Sequence, residues 1–347
     1  MNRHAYRMSL GLLLVLSVLI SACATPSTKS TPVQPWSYFG TAPGEFWWSG
    51  TIQLRQLHKS ALAYGNGRTV AILDSGFAAG PQDLHPSRVD PRAVESCSAN
   101  PTKNIDDING HGTAMAVIAL GDEKADTPKG LATGGIAAKA KLLPIKVVCG
   151  VSTADSVTRG VDIAVAVKPP VDVILLALGG WPSDLTTDAK HETVHAHLLR
   201  VVQSNRDILF VVASVWDGRK YQFPDWTTEE NVIVVAAMIP KPAAIPGPLA
   251  EDYYSDKRGH IWAPGRDIET TFIDYGDPKY SGKYGEYLMQ GTSAAAAIVA
   301  GCAAAVKLDD IDKKAAKTLK DRLTGKAQTK TLPGGEPRLD CLGAVTP

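Results

Sequence analysis

Thr69-Val70-Ala71-Ile72-Leu73-Asp74-Ser75-Gly76 sets a short apolar run directly against an acid and a turn. Its first five residues are too few for a helix, and their continuous apolar character suits a strand covered on both faces. Leu142–Val148, Val171–Ala177, Ile208–Ser214 and Val232–Ala236 are runs of the same kind. Between them, Ala154–Val167 places Val157, Val161 and Ala164 on one helical face and stops at Pro169-Pro170, and Asp188–Ser204 is a second amphipathic stretch. This alternation predicts an α/β fold: a three-layer, doubly wound, mostly parallel sheet with helices on both faces. In such a fold, ligands collect outside the carboxyl ends of the strands. No internal repeat is visible.

The 347 residues allow about two domains or one large α/β domain. With 20% charged and 44% apolar residues, the chain is neither wholly disordered nor collagen-like. Lys and Arg number 36 against 35 for Asp and Glu, so bulk charge gives no reason to expect nucleic acid as a partner. The start is different in kind. Arg3 and Arg7 lead into the apolar run Leu10–Ile20, followed by Ser21-Ala22-Cys23, the pattern of an export signal rather than a membrane span or a buried N-terminal helix. Residues 23–50 read as a Pro/Ser/Thr-rich tether and 51–347 as the folded domain. Trp36, Tyr38, Phe39, Phe46, Trp47 and Trp48 interrupt the tether and are expected to dock on the domain rather than on a membrane or partner.

Chemistry is expected just past strand ends, and three short motifs stand there. They are Asp74-Ser75-Gly76, then Asn109-Gly110-His111-Gly112-Thr113 opening the run Ala114–Leu120, then Gln290-Gly291-Thr292-Ser293 opening Ala294–Val306. Taken singly, each has a plainer reading as a strand-ending turn, a surface or capping histidine, and a helix N-cap. Together they place Asp, His and Ser in the order of the subtilisin triad, each at an element terminus. The sequence here resembles the subtilases, the subtilisin-like serine peptidases. Gly135-Ile136-Ala137, Ala177-Leu178-Gly179-Gly180 and Trp262-Ala263-Pro264-Gly265 are similar to lesser motifs of that family, and the likeness runs from about Thr51 to the C-terminus.

The resemblance implies a serine-type endopeptidase with Ser293 as nucleophile, His111 as base and Asp74 holding the imidazole. The Ser293 backbone N–H would be one oxyanion donor, and Ala177, Leu178, Gly179 and Gly180 the edge that pairs with a peptide or protein substrate. Ile20-Ser21-Ala22-Cys23 resembles the bacterial lipoprotein box, implying lipidation of Cys23 and a mature chain tethered to a bacterial membrane. Without residues 1–22 the balance becomes 34 basic against 35 acidic side chains. No cofactor is expected to be required, and the chain is expected to be a monomer.

The sequence also departs from the family. Where the family has the Asn that supplies the second oxyanion donor, the chain reads Ala213-Ser214-Val215-Trp216-Asp217-Gly218, leaving Trp216 and Asp217 as the alternatives. Losing that donor costs about 2.7–4 kcal/mol, a magnitude measured in subtilisin itself. A subtilase body that captures peptides without cleaving them is therefore the rival reading. His191-Glu192-Thr193-Val194-His195 fits the HExxH zinc-peptidase pattern, but no third ligand follows at the required spacing, and the expectation is no metal there. Asp83, Asp90, Asp106 and Asp107 are loop acids, read as solvated turn acids rather than as a Ca2+ site, with Ca2+ as the alternative. Apart from Cys23, the four cysteines of an exported chain favour disulfides over reduced thiols. Cys97–Cys149 is the favoured first pair, since Cys149 ends a strand on the Asp74 face, and Cys302–Cys341 is the second.

Overall fold

Why Asp74, His111 and Ser293 should meet follows from the order of the strands. The computed structural model describes residues 47–60, 65–78, 84–122, 134–178, 187–214, 226–240, 249–251, 259–273, 284–306, 316–325, 329–332 and 335–346. All fall in one of the chain's two compact units, Gln34–Pro347. The described elements begin with α1 (Trp47–Thr51), α2 (Leu54–Lys59), β1 (Thr69–Asp74), β2 (Val94–Glu95), α3 (His111–Leu120) and β3 (Lys141–Lys146). A hairpin of β4 (Val148–Cys149) and β5 (Val151–Ser152) precedes α4 (Ala154–Ala166), β6 (Val173–Leu176), α5 (Asp188–Ser204) and β7 (Leu209–Ala213). Then come β8 (Val232–Pro240), β9 (Leu249–Glu251), β10 (Ile261–Pro264), β11 (Ile268–Ile273), β12 (Tyr284–Met289) and α6 (Thr292–Ala305). The chain closes with α7 (Ala316–Thr324), β13 (Thr329–Thr331), β14 (Pro337–Leu339) and α8 (Cys341–Val345).

The main sheet runs β13-β14-β10-β8-β7-β6-β1-β3-β2, with β9 beside β8. Its pairs are parallel except β13 with β14 and β9 with β8. Alternate residues of β1 feed the two faces. Val70 and Ile72 pack with α3 and α6, while Ala71 and Leu73 pack with α4 and, beyond it, α5. This is the three-layer, doubly wound architecture that the continuous apolar runs require. From β1 the chain moves outward to β3, then returns across β1 to β6. The winding reverses between β1 and β6, and the crevice outside their carboxyl ends is the topological switch point. Asp74 ends one of these strands and Ala177 follows the other.

Two boundaries differ from the sequence reading. The apolar run Leu142–Val148 is not one strand: β3 ends at Lys146, the Val147 N–H donates to the Asp74 carbonyl at 2.8 Å, and Val148 turns into the hairpin. Gly150, at φ 89°, makes that turn, and the Cys149–Cys97 bridge holds it. Trp47 to Gly50, assigned from composition to the tether, lie in α1, and Trp47 and Trp48 are buried in the same core as α6. Trp47 Nε1 donates to the Arg266 carbonyl at 2.8 Å, satisfying the indole's one donor. Trp36, Tyr38, Phe39, Phe46, the signal segment and Cys23 lie outside the described residues. Among the described residues, no helix is long and apolar enough to cross a membrane.

Candidate active site

The last residue of β1, Asp74, is buried and accepts the Ser75 N–H on Oδ1 at 2.7 Å. His111 Nδ1 lies 2.8 Å from Oδ1 and 2.9 Å from Oδ2 of the same carboxylate. A carboxylate offers only acceptors, so Nδ1 carries the imidazole proton and Nε2 is left as the basic lone pair. Nε2 is buried and has no hydrogen-bond partner among the described residues. Gly112 explains the close approach of α3 to β1, because a Cβ there would meet the Gly76 carbonyl oxygen at 2.3 Å.

Ser293 stands in the first turn of α6, where backbone N–H groups have no intrahelical acceptor and the helix dipole is positive. Gly291, at φ 115°, makes the entry, its N–H donating to the Gly265 carbonyl at 2.7 Å. Thr292 Oγ1 donates to the Ser214 carbonyl at 2.9 Å, pinning the start of α6 to the end of β7. Ser293 Oγ donates to the Ala177 carbonyl at 2.6 Å, so its one proton is not directed at His111. The small residues of α6 let it lie against α3. A Cβ on Gly301 would sit 2.8 Å from the Ala119 carbonyl oxygen.

Two opposing influences act on His111. Burial pulls the imidazole downward, but the Asp74 charge, the Asp74 hydrogen bond and the charge of Asp107 together hold it above the ordinary 6.5. The result is a base with its free nitrogen covered, held at the end of β1, and a serine at a helix start held past the end of the neighbouring β6, at the point where the sheet reverses. That arrangement is suited to acyl transfer.

The sequence profile of the Peptidase_S8 subtilase family matches residues 65–341. The chain belongs to the subtilase family. It is 28% identical over 254 residues to the major intracellular serine protease of Bacillus subtilis (strain 168), covering 70% of this chain and 69% of that one. It is 29% identical over 249 residues to the intracellular serine protease of Paenibacillus polymyxa, covering 70% and 67%. Among solved structures, fervidolysin from Fervidobacterium pennivorans superposes with a TM-score of 0.65 at 19% identity, over 87% of this chain and 46% of that one. MycP1 with its N-terminal propeptide removed gives 0.62 at 20% identity, over 86% and 96%. These structural likenesses bear on the fold. The family, together with relatives that are serine proteases, makes this subtilase a serine-type endopeptidase acting on peptide or protein substrate.

Ala177 is buried and Leu178 half-buried at the end of β6, whereas Gly179, Gly180, Trp216 and Asp217 lie outside the described residues. His191 and His195 lie one turn apart on α5, ring centroids 6.1 Å apart, but among the described residues no third His, Cys, Asp or Glu converges with them. The one convergent trio there, Glu95, Cys97 and Cys149, includes two sulfurs joined as a disulfide. Cys302 and Cys341 are likewise joined, tying α6 to α8. Of the loop acids, Asp90 is bound through both oxygens by Arg92 and Asp107 is committed to five protein donors. Asp83 lies outside the described residues. Sequence reasoning missed two features of the site: the Thr292–Ser214 tie, which left no signal in the sequence, and the role of Asp107. For Asp107 the signal was its position four residues before His111 in a glycine-bearing turn.

Proposed function

We propose that this subtilase is an exported, lipid-anchored endopeptidase that cleaves peptide bonds through Asp74, His111 and Ser293 by way of an acyl-enzyme. The observation that carries the proposal is the contact of His111 Nδ1 with both Asp74 oxygens, while Ser293 heads α6 beside the Ala177 carbonyl. The segment Ala177, Leu178, Gly179 and Gly180, which resembles the family's substrate edge, takes the substrate backbone. A substrate N–H on the Ala177 carbonyl displaces the Ser293 hydroxyl, which turns to His111 Nε2; such rotamer changes are fast compared with turnover.

Ser293 Oγ then attacks the scissile carbonyl carbon as Nε2 takes its proton. The imidazolium so formed is stabilised by Asp74. The carbonyl oxygen becomes an oxyanion and accepts from the Ser293 N–H at the positive end of α6. Collapse breaks the C–N bond, with His111 returning the proton to the leaving amine. Water repeats the sequence on the ester and releases the acid. Trp216 or Asp217 supplies the second donor. If it is Asp217, the carboxyl donates only when protonated, so Asp217→Asn raises kcat and extends activity to higher pH. An unchanged profile, with a large loss in Trp216→Phe, assigns the role to Trp216.

Ser293→Ala should abolish hydrolysis of a peptide ester while leaving the fold intact, and chelator should leave the wild-type rate unchanged. Retained hydrolysis in that variant would refute the triad, and loss with chelator would favour metal chemistry. Cys23→Ser should move the mature chain from the membrane to the soluble fraction. Persistence in the membrane fraction would rule out lipidation at Cys23 as the anchor.

A further inference from the structure

Asp107 is fully buried in the turn leading to α3. Its Oδ1 accepts from Ser75 Oγ at 2.8 Å, from the Asn109 N–H at 3.1 Å and from the Gly110 N–H at 2.8 Å. Its Oδ2 accepts from the Thr113 N–H at 2.8 Å and from Thr113 Oγ1 at 2.6 Å. The ties extend further. Ser75 Oγ accepts the Gly112 N–H at 2.9 Å, the Ser75 N–H is on Asp74, and Thr113 Oγ1 accepts the Ala78 N–H at 3.0 Å. The end of β1 that carries Asp74 and the turn that carries His111 are thereby one body, with Asp107 at its centre.

The position of His111 gives this carboxylate a second consequence. His111 is the first residue of α3, whose first-turn N–H groups have no intrahelical acceptor and present a positive end that disfavours a protonated imidazole; Asn109 Oδ1 takes the His111 N–H at 3.2 Å and Ser75 Oγ the Gly112 N–H, both neutral acceptors. No N-cap side chain serves that end, because Gly110 occupies the cap position at φ 91°. Asp107 does so from outside the helix, accepting the Gly110 and Thr113 N–H groups directly.

We propose that Asp107 is a positioning residue for His111: it builds the turn that sets the imidazole on Asp74, and its charge offsets the positive start of α3 that would oppose the imidazolium of the reaction. The direction in which His111 is shifted, with Asp107 among its causes, agrees. Among the described residues, the other charged groups on elements around His111 are Asp74 on β1, Asp106 in the turn, Lys146 and, at the opposite end of the strand, Lys141 on β3, Glu269 on β11 and the preceding Arg266 and Asp267. Lys146 Nζ is held on the Asp106 carbonyl at 2.6 Å, and α6 carries no charged residue. All of these stay constant in the variants that follow.

The inference rests on the triad reading, and its test separates the two. The His111 imidazole is titrated by NMR, assigned by its loss in His111→Ala, in the wild type, Asp107→Asn, Asp107→Ser and Ser75→Ala. Wild type should titrate above 6.5. Both charge-removing variants should lower the midpoint by about half a unit to one unit, with the acid limb of kcat/KM moving by the same amount. Ser75→Ala breaks a hydrogen bond of the same network but keeps the charge, so it should lower kcat and leave the midpoint in place. An unmoved midpoint in the Asp107 variants, or an equal shift in Ser75→Ala, overturns the proposal. Asn also presents a donor to the Thr113 N–H, which is why Ser is included. If neither Asp107 variant folds, Ser75→Ala decides alone: a lowered kcat at an unmoved midpoint supports the proposal, and a shifted midpoint or an unchanged kcat overturns it. The titration needs no activity, so a failed shift leaves the triad standing, whereas activity in Ser293→Ala removes the triad and leaves the titration valid.

Discussion

His111 is half-buried with its Nε2 covered, and an imidazole so desolvated without carboxylates beside it would be neutral and a weak base; the carboxylates of Asp74 and Asp107 reverse that. Because His111 must be neutral to accept the Ser293 proton, the acid limb of kcat/KM for a peptide ester should have its midpoint above 6.5, with activity rising into alkaline pH. A limb centred below 6.5 would contradict this assignment of the base. The same shift has a consequence for folding. With its folded value above its unfolded one, His111 contributes stability that is fully present below about pH 6.5 and is lost as pH rises through the folded value. Asp74, His111 and Ser293 were legible as candidates in the sequence because each closes or opens an element whose apolar pattern is clear. Asp107 was not, since an acid in a turn looks the same whether solvated or buried, and only its five donors distinguish the cases.

At the scale of elements, continuous apolar runs announced β1, β3, β6, β7 and β8 because both faces of these strands are covered. The end of β3 was hidden by the same property. Val147 and Val148 continue the apolar run after the strand has ended, and only Gly150 marks the turn. α1 was hidden by its polar, Pro-rich neighbourhood, although Trp47 and Trp48 are too large to leave in water at little cost. Truncating Trp48 to Ala should therefore cost about 3–5 kcal/mol, read as a lower denaturant midpoint at unchanged slope. A change within error would mean that α1 is not part of the folding unit. A chain beginning at Phe46 retains these indoles and should fold unaided; dependence on a prosegment supplied in trans would argue otherwise.

For the whole molecule, the switch point between β1 and β6 gathers the strand ends, α3 and α6 carry His111 and Ser293 toward it, and two disulfides brace the body, one at the β4–β5 hairpin and one buried in the core. Cys302–Cys341 spans a sequence separation of 39 and fastens α6, which carries Ser293, to α8. In the chain-entropy picture such a loop is worth about 4 kcal/mol, so the Cys302→Ala, Cys341→Ala double variant should unfold at markedly lower denaturant while keeping its pH profile. A shifted profile would show that the bridge positions the site as well. The central claim, that this subtilase is a working serine endopeptidase built on Ser293, is tested most directly by active-site titration with a fluorophosphonate followed by peptide mapping. The expected result is stoichiometric labelling at Ser293, abolished in Ser293→Ala and in His111→Ala. An unlabelled but folded protein would contradict the claim and leave a peptide-binding scaffold in its place.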